Sequence, residues 1–145
     1  MRKCGSGFLN LETILTRHLL PCEVLEDSTE PTLREYSLNN HAIALYVDQP
    51  IGSGFSYRDG GKVNSIKQRS AYIWTLLQSW FQAYDEYENR DLSIYTGSYG
   101  GHTGTDIVND ILDKNLEAKA GKTSGDVMNI KALSVSNAWF DAWIQ

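Results

Sequence analysis

Ser98 is the residue whose type and surroundings point most directly to chemistry. It lies in a glycine-rich turn at residues 96–101, between a predicted strand at residues 92–95 and a helix predicted from residue 104. A serine at a sharp strand-to-helix turn projects its hydroxyl above the sheet, and the adjoining helix N-terminus favours negative charge that develops nearby. The backbone N–H of the next residue, here Tyr99, is the usual half of an oxyanion hole. The pattern predicts Ser98 as a nucleophile and Tyr99 as an oxyanion donor.

The same turn allows two other interpretations. Glycine-rich turns between a strand and a helix also bind phosphate groups, or they serve close packing alone. The strict Gly-x-Ser-x-Gly pattern is not met, because Thr96 occupies its first glycine position. A Walker phosphate-binding loop is less well supported, since this turn carries no Gly-Lys-Ser/Thr. The local pattern leaves these alternatives open.

A base and an acid for Ser98 are harder to identify. His102 lies four residues beyond Ser98 on the same predicted helix. A base must approach from the far side of a cleft to within about 2.6–3.2 Å of the serine oxygen, so His102 is a poor candidate. Asp141 follows the last predicted strand and is a candidate acid, but no histidine follows it. We therefore expect a nucleophile without its base, and a rate several powers of ten lower than that of a complete triad.

Apolar runs and helical periodicities predict an α/β fold around this turn. Residues 42–47 are apolar throughout, as in a strand that is covered on both faces of a parallel sheet. Helices are predicted at residues 66–84 and 104–116, strands at 92–95 and 130–135, and a short helix near residues 9–20. This alternation favours a parallel sheet with helices on its faces. The aromatic residues of the first long helix are predicted core residues: Trp74, Trp80, Phe81 and Tyr84.

Length, charge and hydropathy limit the possible function classes. The 145 residues are enough for one core and not for two, so a single domain over residues 1–145 is expected. A net charge of −5 without a basic block argues against nucleic acid as a partner. No apolar run approaches the roughly 20 residues of a membrane-spanning helix, so no membrane partner is expected. The histidines show no metal-ligand spacing, and we expect neither a metal nor another cofactor.

The sequence leaves the cellular compartment open. The N-terminus begins with basic residues but does not continue into the apolar stretch of a secretory signal. Cys4 and Cys22 could pair with each other, pair with cysteines on another segment, or remain reduced. We therefore predict no localisation from these features.

A longer motif adds a family resemblance. Residues 48–57, Asp-Gln-Pro-Ile-Gly-Ser-Gly-Phe-Ser-Tyr, resemble the serine carboxypeptidase signature Asp-Gln-Pro-x-Gly-x-Gly-Phe-Ser-Tyr, which follows a buried strand. The aromatic segment 80–87, the turn 98–102 and the segment 137–141 follow the family order, and Pro21-Cys22 is similar to its Gly-Pro-Cys. The resemblance covers roughly residues 20 to 145. It implies a partial α/β-hydrolase fold with a mostly parallel sheet and flanking helices.

The resemblance also implies an activity and a set of site residues. Members of the family release C-terminal residues from peptides, so peptide or protein C-termini are the expected substrates. Ser98 would be the nucleophile and the Tyr99 N–H the oxyanion donor. Gly97 and Gly100 would contact the substrate. Family members are typically vacuolar, lysosomal or secreted.

Departures from the family pattern change the expected activity. Gly97 stands where the family has a glutamate that helps to hold the substrate carboxylate, and His18 lies near the position of the partner glutamate. Of the Gly-Gly-Pro-Gly-Cys-Ser-Ser segment that supplies the second oxyanion donor, at most Cys4-Gly5-Ser6 remains. The family's triad acid and histidine lie beyond residue 145. We therefore expect a truncated serine-type carboxypeptidase-like hydrolase that is inactive as this isolated chain. The alternative is a catalytically dead remnant that acts as a binding or regulatory module.

Exposed apolar surface is also expected. An open parallel sheet of about three strands leaves edges and faces uncovered, which favours association. Trp139 and Trp143, near the end of the sequence, are expected to be exposed. Both features predict self-association.

Overall fold

The computed structural model describes residues 22–57, 59–60, 63–141 and 143–144. The chain divides into two compact units, one of Met1–Gln49 with Ser53–Ser56 and one of Pro50–Gly52 with Tyr57–Gln145. The single domain over residues 1–145 stays a prediction. The helix predicted near residues 9–20 and Cys4 lie outside the described residues. Cys22 is disulfide-bonded.

The first unit contains little regular structure in its described part. Two short strands, β1 (Cys22–Glu23) and β2 (Thr32–Leu33), pair antiparallel, and a 3-10 helix covers Leu38–Asn40. Arg34 forms an ion pair with Glu23 beside this ladder. The rest of this part is loop, which specific side chains must hold in place.

Asp48 organises the loop at residues 53–56. Its Oδ2 accepts a hydrogen bond from the Phe55 N–H at 2.9 Å, and its carbonyl oxygen accepts one from the Ser56 hydroxyl at 2.7 Å. Gly54 has φ +54° and lies so close to the carboxylate that a Cβ would overlap it. The spacing from this aspartate to this glycine therefore encodes a turn around a carboxylate.

The predicted strand at residues 42–47 is wrong. These residues form no strand, and Ile43, Leu45 and Tyr46 are exposed. A strand is stable when a neighbouring strand takes up its N–H and C=O groups, and no described strand is paired with residues 42–47. The apolar composition of residues 42–47 predicted that they are buried, but in this unit Ile43, Leu45 and Tyr46 remain exposed.

The second unit is a helix followed by a β-α-β arrangement. Its elements are α1 (Ile66–Ala83), a 3-10 helix (Asp85–Tyr87), β3 (Asp91–Gly97), α2 (Gly100–Lys119) and β4 (Asn129–Ser136). β3 and β4 are parallel neighbours, in a register that pairs Gly97 with Ser136. The predicted parallel sheet with flanking helices is confirmed in this unit.

The core of the second unit lies between α1, α2 and the sheet. α1 packs against α2, and α2 packs against β3 and β4. The buried members are Trp74, Leu77, Phe81, Ile107, Ile111 and Met128. The core predictions for Trp74 and Phe81 are confirmed, and Trp80 is partly buried. The prediction for Tyr84 is wrong, because α1 ends at Ala83 and Tyr84 leaves the helical conformation with 49% of its surface exposed.

Two buried amides fix the connection from α2 to β4. Asn115 donates from Nδ2 to the Met128 carbonyl at 2.8 Å and accepts at Oδ1 from the Met128 N–H at 2.9 Å. Gln78 makes the same pair of bonds to the backbone of Asp126, both at 2.8 Å. Each amide satisfies the donor and the acceptor of one connecting residue, as a neighbouring strand would. β4 therefore enters the sheet from a fixed position.

Apolar surface remains exposed on this unit. Leu112 and Leu116 lie one turn apart on α2 and are both exposed. Trp139 and Trp143 are exposed as well, which confirms the prediction for these two residues. Within the described ranges, no helix combines the length and the apolar character needed to cross a membrane.

Candidate active site

Ser98 joins β3 to α2 in a backbone conformation that serine rarely adopts. The residue is exposed and its φ is +54°, in the left-handed region. Asn137, the residue after β4, has a φ of +45°. Such conformations cost a non-glycine residue on the order of 1–3 kcal/mol and cluster at active sites. The two strained residues mark the carboxyl ends of two adjacent parallel strands, where open α/β sheets bind their ligands.

Three backbone hydrogen bonds hold the turn at Ser98. Its N–H donates to the Ser136 carbonyl at 3.1 Å, which extends the contact between the two strands past the end of β3. Its carbonyl oxygen accepts from the Gly101 N–H at 3.1 Å and from the Trp139 N–H at 2.9 Å. These bonds stabilise the left-handed conformation and do not use the serine hydroxyl.

α2 begins at Gly100, so the start predicted at residue 104 is wrong. Glycine is unfavourable inside a helix, and several glycines in this stretch therefore suggested a longer turn. The structure explains them by close approach. A Cβ on Gly101 would lie 2.5 Å from the Trp139 carbonyl oxygen, and Cβ atoms on Gly100 and Gly104 would meet the Thr96 side chain.

The Tyr99 N–H is placed to act as a hydrogen-bond donor. Tyr99 is the N-cap residue of α2, and no residue in the described part of the chain accepts a hydrogen bond from its N–H. Its side chain makes no capping bond. The first N–H groups of α2 and the positive end of its dipole therefore favour an anion at this position. A serine beside such donors is the arrangement that stabilises an oxyanion.

An aromatic cluster of Tyr99, His102 and Trp139 lies beside the turn. The ring centroids are 5.3 Å apart for Tyr99 and His102, 6.4 Å for Tyr99 and Trp139, and 6.3 Å for His102 and Trp139. Tyr99 and Trp139 are 45% and 49% exposed, so ring surface adjoins Ser98. Sequence reasoning did not find this cluster, because only the pairing of β3 with β4 brings the segment after β4 to the start of α2.

The two glycines predicted to contact substrate lie on either side of Ser98. Gly97 is the last residue of β3 and is partly buried, whereas Gly100 is buried at the start of α2. The structure thus places Gly97, Ser98, Tyr99 and Gly100 together at one strand-to-helix turn. Their roles in catalysis and binding stay predictions.

Asp141, the candidate acid, lies on the segment after β4. It is exposed, and its Oδ1 accepts a hydrogen bond from the Trp143 N–H at 2.8 Å. Over the described ranges, no group of three His, Cys, Asp or Glu side chains is arranged to hold a metal ion.

Asp110, farther along α2, carries a carboxyl group whose pKa is raised above its ordinary value. Burial raises the pKa of the Asp110 carboxyl most strongly, and Lys114 opposes this shift. The carboxylates of Asp106 and Asp113 raise the pKa further, and Lys67 lowers it. The Asp110 Oδ2 is buried and has no hydrogen-bond partner among the described residues. We therefore expect Asp110 to make the stability of the second unit depend on pH.

This chain is similar to known proteins in sequence and in fold. A serine carboxypeptidase profile matches residues 15–145. The chain belongs to the serine carboxypeptidase family. Carboxypeptidase S1 of Penicillium janthinellum is 44% identical over 125 residues, which are 86% of this chain and 29% of that protein. The pheromone-processing carboxypeptidase KEX1 of Coccidioides posadasii is 32% identical over 116 residues, which are 79% of this chain and 18% of that protein.

A solved carboxypeptidase structure matches the chain as well. The crystal structure of Kex1Δp, a prohormone-processing carboxypeptidase from Saccharomyces cerevisiae, superposes with a TM-score of 0.69 at 28% identity. The match covers 83% of this chain and 26% of that chain. The predicted family and the partial α/β-hydrolase fold are confirmed. The chain spans less than a third of the length of these serine carboxypeptidases.

Proposed function

We propose that Ser98 is the nucleophile of a serine-type hydrolase site that acts on peptide or protein C-termini. The observation that carries the proposal is the left-handed Ser98 between parallel strand β3 and helix α2, beside the Tyr99 N–H. Membership of the serine carboxypeptidase family supports this role. The names of the relatives, which process pheromones or prohormones, support peptides as the substrate class.

In this proposal the Ser98 oxygen attacks the carbonyl carbon of the scissile bond. A C–O bond forms, and the carbonyl oxygen takes up negative charge that the Tyr99 N–H and the N-terminus of α2 stabilise. When the tetrahedral intermediate collapses, the C–N bond breaks and the serine proton is delivered to the departing amine. Water then attacks the acyl group on Ser98, which releases a carboxylic acid and restores the hydroxyl.

The proton transfer needs a base that the described residues do not place beside Ser98. The ring of His102 contacts Tyr99 and Trp139, and Asp141 binds the Trp143 backbone. Without a base, substrate binding and oxyanion donors alone leave a hydrolysis rate about 10³–10⁴-fold above that of the uncatalysed reaction in water. We therefore propose that the isolated chain hydrolyses peptides several powers of ten more slowly than a complete serine carboxypeptidase.

A fluorophosphonate probe tests whether Ser98 is activated. The serine oxygen displaces fluoride from phosphorus, so the reaction leaves a phosphonyl group on Ser98 and releases fluoride and a proton. Because the described part of the chain places no base beside Ser98, the adduct should form slowly. After prolonged incubation, mass spectrometry should find it on the Ser98 peptide of the folded chain and not on chain unfolded in urea. Ser98→Ala should abolish labelling, whereas Ser93→Ala, at an exposed position of β3, should not. Folded protein that stays unlabelled removes the proposed nucleophile.

The second candidate function is a catalytically dead remnant that binds peptides or regulates a partner. Exposed ring surface at Tyr99 and Trp139, next to a Gly97 that carries no acidic group, favours this candidate. Fluorescence polarisation with a labelled peptide tests it. A binding module is supported if peptide binding is lost in Trp139→Ala and retained in Ser98→Ala. The folded chain should then also form no fluorophosphonate adduct.

We also propose that the chain associates with itself through exposed apolar surface. Leu112 and Leu116 are 45% and 66% exposed and lie on one side of α2. Sedimentation velocity should show a weight-average mass that rises with concentration, and Leu116→Lys should reduce the rise. A monomer at every concentration contradicts this proposal.

A further inference from the structure

Thr96 lies in β3, two residues before Ser98, with its side chain against the start of α2. Its Oγ1 and Cβ fill the space into which a Cβ on Gly100 would project. Its Cγ2 is 2.5 Å from the position of a Cβ on Gly104, and Leu133 Cδ1 is 3.4 Å from the same position. The Thr96 Oγ1 is buried and has no hydrogen-bond partner among the described residues.

These contacts explain two unfavourable features together. Glycines in the first turns weaken α2, and a buried hydroxyl without a partner is unfavourable. Both features follow if the Thr96 side chain must fill the gap between the strand and the helix. A larger residue at either glycine would push the helix away from β3. The Gly101 N–H, which binds the Ser98 carbonyl, would move with it.

We infer that Thr96 is a positioning residue for Ser98. Its side chain sets the distance between β3 and the start of α2, and this distance keeps Ser98 in the left-handed conformation. The catalytic meaning of this role rests on the proposed function of Ser98, whereas the packing geometry does not. Thr96 occupies the first glycine position of Gly-x-Ser-x-Gly. In this chain the larger side chain therefore lies on the strand, and the glycines that make room for it, Gly100 and Gly104, lie on the helix.

Exchange of side-chain volume between positions 96 and 104 tests the inference. Gly104→Ala places a methyl group 2.5 Å from the Thr96 Cγ2, which is too close for two carbon atoms. Thr96→Ala leaves an unfilled space between β3 and α2. The double variant Thr96→Ala/Gly104→Ala removes both crowding atoms, and the new methyl group then meets Leu133 at an ordinary 3.4 Å. Ser93→Ala, at an exposed position of the same strand, is the matched control.

Amide hydrogen exchange reports the turn without requiring a reactive serine. The N–H groups of Gly101 and Trp139 both bind the Ser98 carbonyl, so their protection follows the geometry of the turn. In the full chain, Gly104→Ala should speed their exchange about 10-fold or more relative to amides in the middle of α1. The double variant should restore their protection. Fluorophosphonate labelling of Ser98 should follow the same order, about 10-fold or more slower in Gly104→Ala and recovered in the double variant.

The outcomes separate this inference from the proposed function. Equal acceleration of all amides in Gly104→Ala, or a double variant no better protected than Gly104→Ala, overturns the positioning role. If Gly104→Ala fails to fold, Thr96→Ala and the double variant provide the test. Faster exchange of the Gly101 and Trp139 amides in Thr96→Ala, with protection restored in the double variant, supports the positioning role. Exchange that is not faster in Thr96→Ala, or is not restored in the double variant, overturns it. An unlabelled parent chain with the expected exchange pattern removes the nucleophile and leaves the positioning role in place.

Discussion

Asn115→Ala is expected to destabilise the second unit strongly. Asn115 is buried and makes two hydrogen bonds to the backbone of Met128, at 2.8 and 2.9 Å. Met128 is itself only 3% exposed. Alanine removes both partners, and water does not reach the Met128 N–H and C=O groups freely enough to replace them. The variant therefore leaves the Met128 N–H buried and unpaired, whereas the Met128 carbonyl keeps the hydrogen bond that the Ile130 N–H donates at 3.1 Å.

The size of the effect follows from these two groups. The unpaired Met128 N–H costs about 1–3 kcal/mol, and the hydrogen bond that the carbonyl loses costs about 0.5–1.5 kcal/mol, so the two together cost about 1.5–4.5 kcal/mol. Alanine is a better helix former than asparagine by up to about 0.7 kcal/mol, which offsets a small part. The free energy of unfolding should therefore fall by about 1–4 kcal/mol. This is a large fraction of the roughly 5–15 kcal/mol that stabilises a typical domain.

Urea unfolding followed by far-ultraviolet circular dichroism measures this loss. With a slope of about 2 kcal/mol per molar urea, the midpoint should fall by about 0.5–2 M. Asn109→Ala is the matched control, since it makes the same substitution at an exposed position of α2. It should stay within about 0.5 kcal/mol of the parent chain. Equal midpoints for Asn115→Ala and Asn109→Ala would refute the reasoning, because a buried amide that pairs Met128 cannot be removed without loss.

Two further predictions concern backbone strain and pH. Gly125→Ala should lower the free energy of unfolding by about 1–3 kcal/mol, since Gly125 has φ +134° and a Cβ there would lie 3.2 Å from Gln78 and Trp74. Gly121→Ala, at φ +68° with no atom of the described residues near the new Cβ, should lower the free energy of unfolding by less in the same urea titration. A larger loss for Gly121→Ala than for Gly125→Ala would contradict the argument. Asp110→Asn should raise stability at neutral pH, because burial raises the pKa of Asp110 and makes its ionised form unfavourable in the folded chain. This gain should shrink as the pH falls towards the ordinary pKa of 3.8. Urea midpoints of Asp110→Asn and of the parent chain, measured at several pH values, should therefore converge towards acid pH, and midpoints that move apart would contradict the argument.

Local patterns predicted the regular elements of the second unit closely. The helix expected at residues 66–84 is Ile66–Ala83, and the strand expected at residues 130–135 is Asn129–Ser136. The spacing of apolar residues along the chain is a property of a single segment, so the sequence alone contains this signal. The strand expected at residues 42–47 failed for the opposite reason. A strand depends on a neighbour, and apolar composition does not show whether a neighbour is present.

The start of α2 shows the same division at the site itself. Glycines at the beginning of a helix contradict helix propensity, so the sequence suggested a turn that continued to residue 104. Their cause is contact with Thr96 and with the Trp139 backbone. Such contacts join segments that are distant in the sequence, and propensity does not include them.

The sequence by itself determined that Ser98 stands between a strand and a helix with the Tyr99 N–H beside it. It also determined the family, through a motif at residues 48–57 that is specific enough to recognise. Only the tertiary structure brought Asn137 and Trp139 to the same turn and gave Thr96 its place under the helix. The physical reason is that these neighbours depend on the register of β3 against β4 and on the distance of α2 from the sheet. Hydrogen bonds and packing between segments fix both quantities, and no single segment of the sequence specifies them.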